Sequence, residues 1–150
     1  MALRTTRTGP EPFGDPLCGI LLVVEPVAGA ANVRVVEALR RSLATVKLSE
    51  AYITWIHSDL LEEILSLEPG VLVAVGPAAA RAIDSLAYPL ARTAFSEGPE
   101  GSWFAWTKGT SGLRLPALTP ALEDEDAKRH FWRAFLTLRA LVPEEISRHP

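Results

Sequence analysis

Cysteine is almost absent from this sequence, and so are the patterns of membrane spans and secretion. The single cysteine, Cys18, cannot form an internal disulfide and cannot build a zinc or iron–sulfur site by itself. Such cysteine usage is typical of a reducing cytosol. No apolar run reaches the ~18 residues that a membrane span needs, and residues 1–7 lack the apolar centre of a signal peptide. We therefore expect a cytoplasmic protein that contacts no membrane.

Positive charge is not in excess either. The chain has 15 basic and 18 acidic residues, and its net charge is −3. It therefore lacks the chain-wide basic field with which many proteins hold nucleic acid, and we expect DNA contact to be weak and local. Hydrophobic residues make up 48% of the 150 residues, which fits one compact domain and excludes a disordered chain. Arginine supplies 12 of the 15 basic residues, a bias associated with bacterial genomes rich in G and C.

The sequence divides into an arm, a domain and a tail. Residues 1–16 contain five glycines and prolines and no hydrophobic period, which predicts a flexible N-terminal arm. Residues 17–143 are expected to form a single α/β domain, and 144–150 a C-terminal tail. The arm carries Arg4, Arg7 and Phe13, which could dock onto a partner. The alternative is a terminus without a partner.

Strands and helices alternate along the domain. Apolar, β-branched runs predict strands at 19–24, 51–55, 71–75 and 113–118, and helices are expected near 32–43, 60–68, 78–86 and 123–141. The first helix would begin with Asn32 and bury a stripe of Val33, Val36, Leu39 and Leu43. Short connections between alternating elements predict a parallel sheet with helices on both faces. The expected fold is a three-layer α/β/α sandwich around a mostly parallel, four-stranded sheet.

The region from 88 to 112 differs from the rest of the domain. Its glycines and prolines predict a loop, a short strand and a turn around two tryptophans, Trp103 and Trp106. Three positions apart on an extended stretch, the two side chains would lie on opposite faces. They could stack on bases, although such residues more often serve as core or interface anchors.

His57 is the histidine placed best for chemistry. It follows the second predicted strand, at the sheet edge where ligands of open α/β folds usually bind. Ser58 could act as a nucleophile beside it, but a serine at this position is expected more often to cap the next helix. The other histidines, His130 and His149, share no metal-ligand spacing with His57, so we expect no metal site.

Residues 76–81 join a predicted strand to a helix, a junction that can hold an anion on helix amides. The glycines and lysine of the phosphate-binding motifs are missing, and Pro77 removes one backbone donor. We therefore expect no cofactor, and a nucleotide site at this junction is a less favoured alternative to plain strand–helix geometry. The acidic run 123–126 is better explained as a helix start than as a metal site.

Three segments carry a family resemblance. Residues 67–80 read as a helix ending in proline, a strand rich in valine and alanine, a glycine and an alanine-rich helix. Residues 51–54 form a second matching strand, and 128–132 match a closing helix with Lys-Arg and Trp. Over about residues 19–141 the chain resembles the uracil-DNA glycosylase superfamily. The resemblance implies that family's fold.

The chemical motifs of that family are altered here. Its Gly-rich first motif corresponds to 24–32, where Glu25 remains and Asn32 stands near an expected acid. The asparagine that reads the flipped base is matched by Trp55, and the late His-Pro-Ser motif by 119–121, which read Thr-Pro-Ala. Base excision needs hydrogen bonds to the base edge and a donor for the departing anion. The resemblance therefore implies a relic pocket of Glu25, Trp55 and Thr119.

The segment 116–120, followed by a helix with arginines and Trp132, is also similar to the psi subunits of bacterial DNA polymerase III. Those subunits have the glycosylase fold without catalysis, and their N-terminal arm binds the clamp loader. This second resemblance implies an accessory protein of DNA replication.

Three functions stay open at this point. The preferred one is a non-catalytic protein-interaction module of replication or repair, using Arg4, Arg7, Phe13, Trp103 or Trp106 to bind a protein partner. The second is a divergent uracil-DNA glycosylase that would use Glu25, Asn32 or His57. The third is a nucleotide or small-ligand binder at 76–81.

Overall fold

The computed structural model describes residues 11–27 and 30–141. Its strands are β1 (Ile20–Val24), β2 (Tyr52–Trp55), β3 (Val71–Val75), β4 (Phe104–Ala105) and β5 (Ser111–Leu115). Its helices are α1 (Ala30–Thr45), α2 (Leu60–Leu67), α3 (Pro77–Ser85), α4 (Leu118–Ala121) and α5 (Glu125–Phe135). Two 3₁₀ segments, Phe95–Glu97 and Leu136–Leu141, complete the described elements. Within these residues no helix is long and apolar enough to cross a membrane.

One mixed sheet organises the molecule. Its strand order is β2-β1-β3-β5-β4, and every pair is parallel except β4 with β5. The predicted α/β class and mostly parallel sheet are thus confirmed. The sheet has five strands rather than four, because the short stretch at Phe104 and Ala105 pairs antiparallel with β5.

Side chains of the central strands alternate between two apolar layers. Leu22 and Val24 of β1 belong to a core cluster that includes residues of α1, α4 and α5, on what we call the first face. Leu21 and Val23 belong to a second cluster with residues of α2 and α3, on the second face. The alternation follows from the period of two along a strand, so β1 is buried on both sides. Helices therefore cover both faces of the sheet.

Two boundaries differ from the sequence prediction. The last strand ends at Leu115, before Pro116, and residues 118–121 form the short helix α4 instead of continuing it. The long helix expected over 123–141 is α5 followed by a 3₁₀ segment. The acidic run does begin α5 as predicted, since the Asp124 carboxylate accepts the backbone N–H of Ala127 at 2.8 Å.

The buried stripe of α1 is rotated from the predicted one. Val35, Leu39 and Leu43 are buried, whereas Val33 is 66% exposed. The side chain of Arg34, beside Val33, contacts the Glu123 carboxylate at 3.1 Å. This contact joins the first turns of α1 to the loop that follows α4.

Residues 11–16, expected in the flexible arm, lie on the sheet edge. Phe13 and Ile53 exchange backbone hydrogen bonds of 3.1 and 2.8 Å, and the guanidinium of Arg40 lies 4.5 Å from the Phe13 ring centre. Gly14 passes so close to β2 that a Cβ there would lie 2.1 Å from the Ala51 carbonyl oxygen. This segment covers part of the exposed edge of β2. The candidates Arg4 and Arg7, and the tail 144–150, lie outside the described residues.

Candidate functional site

The carboxyl ends of β1, β3 and β5 meet at one edge of the sheet, where open α/β folds usually bind ligands. Glu25 follows β1, and Thr119 lies in α4 just beyond β5. Both side chains are exposed, and both line a crevice with Val24, Val35 and Val75. The volume of this crevice is about 10 Å³, roughly the space for a single water molecule. The predicted pair therefore comes together, but around very little open space.

Trp55, the third residue of the predicted relic pocket, is part of the core. Its side chain is 0% exposed and packs in the first-face cluster with residues such as Leu39 and Ile53. Its indole Nε1–H donates to the backbone carbonyl of Glu11 at 3.3 Å. The side chain does not line the crevice of Glu25 and Thr119. Its polar atom is thus satisfied within the fold.

Asn32 and His57, the other candidate catalytic residues, also lie away from the crevice lining. The Oδ1 atom of Asn32 accepts the backbone N–H of Val27 at 3.0 Å, which fixes the end of the loop after β1. Asn32 lies inside α1, two residues after its start at Ala30, and so does not form the predicted cap. Its amide is used to hold the backbone.

His57 belongs to a buried polar cluster centred on Glu63 of α2. The Glu63 carboxylate accepts hydrogen bonds from the hydroxyls of Tyr52 and Thr54, each at 2.8 Å. The Nε2 atom of His57 also lies 2.8 Å from Glu63 Oε1. The side chains of His57 and Glu63 are only 4% and 13% exposed. Glu63 was not among the predicted site residues, although the polar Thr54 inside an apolar strand indicated that its hydroxyl needs a hydrogen-bond partner.

The hydrogen bonds of His57 define its chemical form. Its Nδ1 accepts the backbone N–H of Asp59 at 3.1 Å, so Nε2 carries the hydrogen that is donated to Glu63. A ring that accepts at one nitrogen and donates at the other is the neutral tautomer. Ser58 is exposed and makes no hydrogen bond to His57 among the described contacts. Nor does it cap α2, whose N-cap residue is Asp59 without a side-chain capping bond.

The junction at 76–81 is shaped by close packing of the backbone. Gly76 has a φ of 100° and is buried, and its N–H donates to the Leu115 carbonyl at 2.9 Å. A Cβ at this position would lie 3.3 Å from Ala117 Cα. The glycine is therefore explained by its backbone conformation and by the approach of the segment after β5.

The two tryptophans that flank the short strand β4 pack in opposite layers, as predicted. Trp106 is 1% exposed in the second-face cluster, with ring centres 4.6 Å from Tyr88 and 5.7 Å from Phe95. Trp103 is half-buried and packs against the first-face cluster. Phe13 is half-buried as well. Of the three aromatic partner candidates, Trp106 is thus buried, and the other two are in partial contact with the core.

A much larger opening than this crevice lies between helices on the first face. We call it the α1–α5 groove, and its volume is about 600 Å³. It is lined by Ala38, Arg41 and Ser42 of α1, by Leu118, Ala121 and Leu122, and by Lys128, Arg129, Phe131, Trp132, Arg133 and Leu136. The sequence prediction did not include this groove, because it depends on how α1 and α5 pack.

Within residues 11–27 and 30–141, no three His, Cys, Asp or Glu side chains are grouped so as to hold a metal ion. Comparison of the chain with protein-family models and with curated proteins finds no match.

Proposed function

We propose that this protein is a non-catalytic interaction module of DNA replication or repair, with a uracil-DNA-glycosylase-like fold. In this proposal it serves in a bacterial cytoplasm as an accessory protein similar to the psi subunits of DNA polymerase III. The glycosylase and psi resemblances suggest the setting. The packing at the carboxyl edge of the sheet supports the absence of catalysis.

The observation that carries the proposal is how this edge is filled. An enzyme that excises a base must hold the extruded base in a fitted pocket and bond its edge. Here the crevice beside Glu25 and Thr119 has a volume of about 10 Å³. Trp55, at the position matched to the base-reading asparagine, is buried in the core and bonded to a backbone carbonyl. The crevice therefore has no room for an extruded base, and the Trp55 side chain is not placed to bond the edge of one.

The α1–α5 groove offers the binding space that the crevice beside Glu25 and Thr119 lacks. It is about 600 Å³ in volume and lies on a helical face rather than at the strand ends. An apolar groove rimmed by charged residues is a common feature of protein-interaction surfaces. The proposed module therefore binds its partner through helices, while the sheet edge is structural.

The first test is base excision with the protein in large molar excess over DNA. Single- and double-stranded oligonucleotides carrying uracil or hypoxanthine are incubated with the protein, and abasic sites are then cleaved with alkali. We expect no cleavage above the level of undamaged DNA. Cleavage at the modified base that Glu25→Ala abolishes would overturn the proposal in favour of a divergent glycosylase.

The second test is direct binding to replication proteins. The purified clamp loader of the same organism, and purified repair proteins, are mixed with the full chain and analysed by sedimentation velocity. We expect a stoichiometric complex with at least one of them. A chain that excises no base and also sediments alone in every mixture would refute the proposed role.

A further inference from the structure

We infer that the α1–α5 groove binds a short acidic peptide segment that carries one or two large apolar side chains. The segment would come from the protein partner, so this inference rests on the proposed function. Three features of the groove support this inference: its apolar floor, its basic rim and its length.

The floor of the groove is apolar. Seven of its twelve lining residues are alanine, leucine, phenylalanine or tryptophan. Trp132 is half-buried and stacks on Phe135, with ring centres 5.5 Å apart and planes 16° apart. An aromatic side chain held in this way loses little freedom when a ligand packs on its open side. The floor therefore suits apolar anchor side chains.

The rim of the groove is basic. Arg41, Lys128, Arg129 and Arg133 line it, and no acidic residue does. Lys128 lies 3.7 Å from the Glu125 carboxylate, and Arg129 pairs with Asp126. Among the described residues, Arg41 and Arg133 form no ion pair. Two exposed guanidinium groups on opposite walls, one on α1 and one on α5, thus have no anionic partner within residues 11–27 and 30–141.

The dimensions limit the ligand to a short segment. Lys128, Trp132 and Leu136 succeed one another at intervals of four residues along the α5 wall, so this row is about 12 Å long. That length accommodates about two turns of helix or about four extended residues. Arg34 of α1 donates to the Leu122 carbonyl at 3.2 Å, which links the α1 wall to the segment between α4 and α5 that also lines the groove.

The charges around the groove also favour a peptide over nucleic acid as the ligand. Glu125 and Asp126 partner two of the four rim cations and would face a phosphate backbone that passed along the rim. The net charge of −3 gives no long-range attraction for DNA. One face of the Trp132 ring is already covered by Phe135. Acidic side chains on a short peptide can instead reach Arg41 and Arg133 separately while its apolar side chains fill the floor.

A random linear peptide library displayed on phage tests the inference on the full-length protein. The library is selected on the wild-type chain after counter-selection on Arg133→Glu. We expect the recovered peptides to be rich in Asp and Glu around Leu, Phe or Trp. Recovery of sequences without acidic enrichment, or no recovery above background, would overturn the inference.

Affinity measurements then locate the site. A fluorescein-labelled copy of the most enriched peptide is titrated by anisotropy, and Arg41→Glu or Arg133→Glu should weaken binding by roughly tenfold or more. Both residues are exposed, so these variants should fold normally. Arg81→Glu is the matched control, because Arg81 is exposed on α3 on the second face. Equal affinities of the three variants would refute the assignment of the groove.

Two further measurements separate the remaining explanations. A labelled single-stranded oligonucleotide should not bind the wild-type chain in competition with the peptide. Direct oligonucleotide binding that displaces the peptide from the wild type and is lost in Arg133→Glu would make the groove a nucleic-acid site instead. Clamp-loader or repair-protein binding that Arg133→Glu leaves unchanged would refute the groove but leave the proposed function standing. Selection of acidic peptides by a chain that binds no such protein would refute the function and leave the groove standing.

Discussion

Replacing Glu63 by alanine should destabilise the protein much more than replacing its neighbour Glu62. Both glutamates lie in the first turn of α2, so both interact with the positive end of the same helix dipole. Glu62 is exposed, whereas Glu63 accepts hydrogen bonds from Thr54 and His57 at 2.8 Å. The difference between the two variants therefore reports mainly the hydrogen bonds that Glu63 accepts.

The size of this difference follows from the donors left without a partner. Thr54 is 0% exposed and the His57 side chain is 4% exposed, so water reaches neither donor easily. A buried polar group without a partner costs about 1–3 kcal/mol. The Glu63 side chain itself is 13% exposed, so some water can enter the space that it leaves. The summed cost of the two unpaired donors should therefore fall near the low end of what this range gives. We expect Glu63→Ala to lose about 2–3 kcal/mol more than Glu62→Ala.

Urea unfolding followed by circular dichroism measures both losses, provided that the slope against urea concentration is the same in all variants. Glu63→Gln should recover most of the stability. Its amide oxygen can accept from Thr54 and His57, and its NH₂ group can donate to the Tyr52 hydroxyl, which is also an acceptor. Equal free energies of unfolding for Glu62→Ala and Glu63→Ala would refute the reasoning, because the cluster would then contribute no net stability.

Three further predictions concern packing, capping and titration. Gly112→Ala should cost about 1–3 kcal/mol, because its Cβ would lie 2.6 Å from the Phe104 ring, whereas Gly109→Ala meets no atom within 4 Å and should unfold like the wild type in urea. Asp124→Ala should cost about 1 kcal/mol in the same assay, since it removes the N-cap of α5. Burial and then the charge of Glu68 raise the pKa of Tyr88 from its usual 10.0. The protonated Tyr88 hydroxyl therefore contributes in full to the free energy of unfolding below pH 10, and this contribution is lost as the pH rises through the raised pKa. Tyr88→Phe should remove this part of the pH dependence of the free energy of unfolding.

The elements that sequence reasoning located well are those whose own residues determine them. The run at 71–75 is apolar throughout and lies between Gly70 and Gly76, and its predicted bounds equal those of β3. The buried side of α1 was predicted less accurately. Val33 and Val35 both lie at helical spacing from later apolar residues, so periodicity alone does not choose between them. The contact of Arg34 with Glu123, 89 positions away, accompanies the observed choice.

The candidate site was harder to predict, because its parts come from separate elements. Phe13 lies among prolines and glycines without a period, and only the exposed edge of β2 explains why it is ordered there. Glu63 sits on a helix where an acidic residue is usually solvated, and its three partners come from β2 and the following loop. The α1–α5 groove depends on the angle between two helices, which no local pattern encodes.

The crevice at the sheet edge and the α1–α5 groove place opposite requirements on the polar groups around them. A catalytic crevice needs side chains whose hydrogen-bonding atoms are free to meet a substrate, yet the amide of Asn32 and the ring of His57 are both engaged within the fold. A docking groove needs exposed charge beside apolar surface, and Arg41 and Arg133 lie beside such a floor with no ion-pair partner in the part of the chain that the structure describes. Asn32 and His57 are thus committed to structure, whereas the guanidinium groups of Arg41 and Arg133 are exposed beside an apolar floor. This distribution is why we expect Arg133→Glu to reduce peptide binding and Glu25→Ala to leave it unchanged.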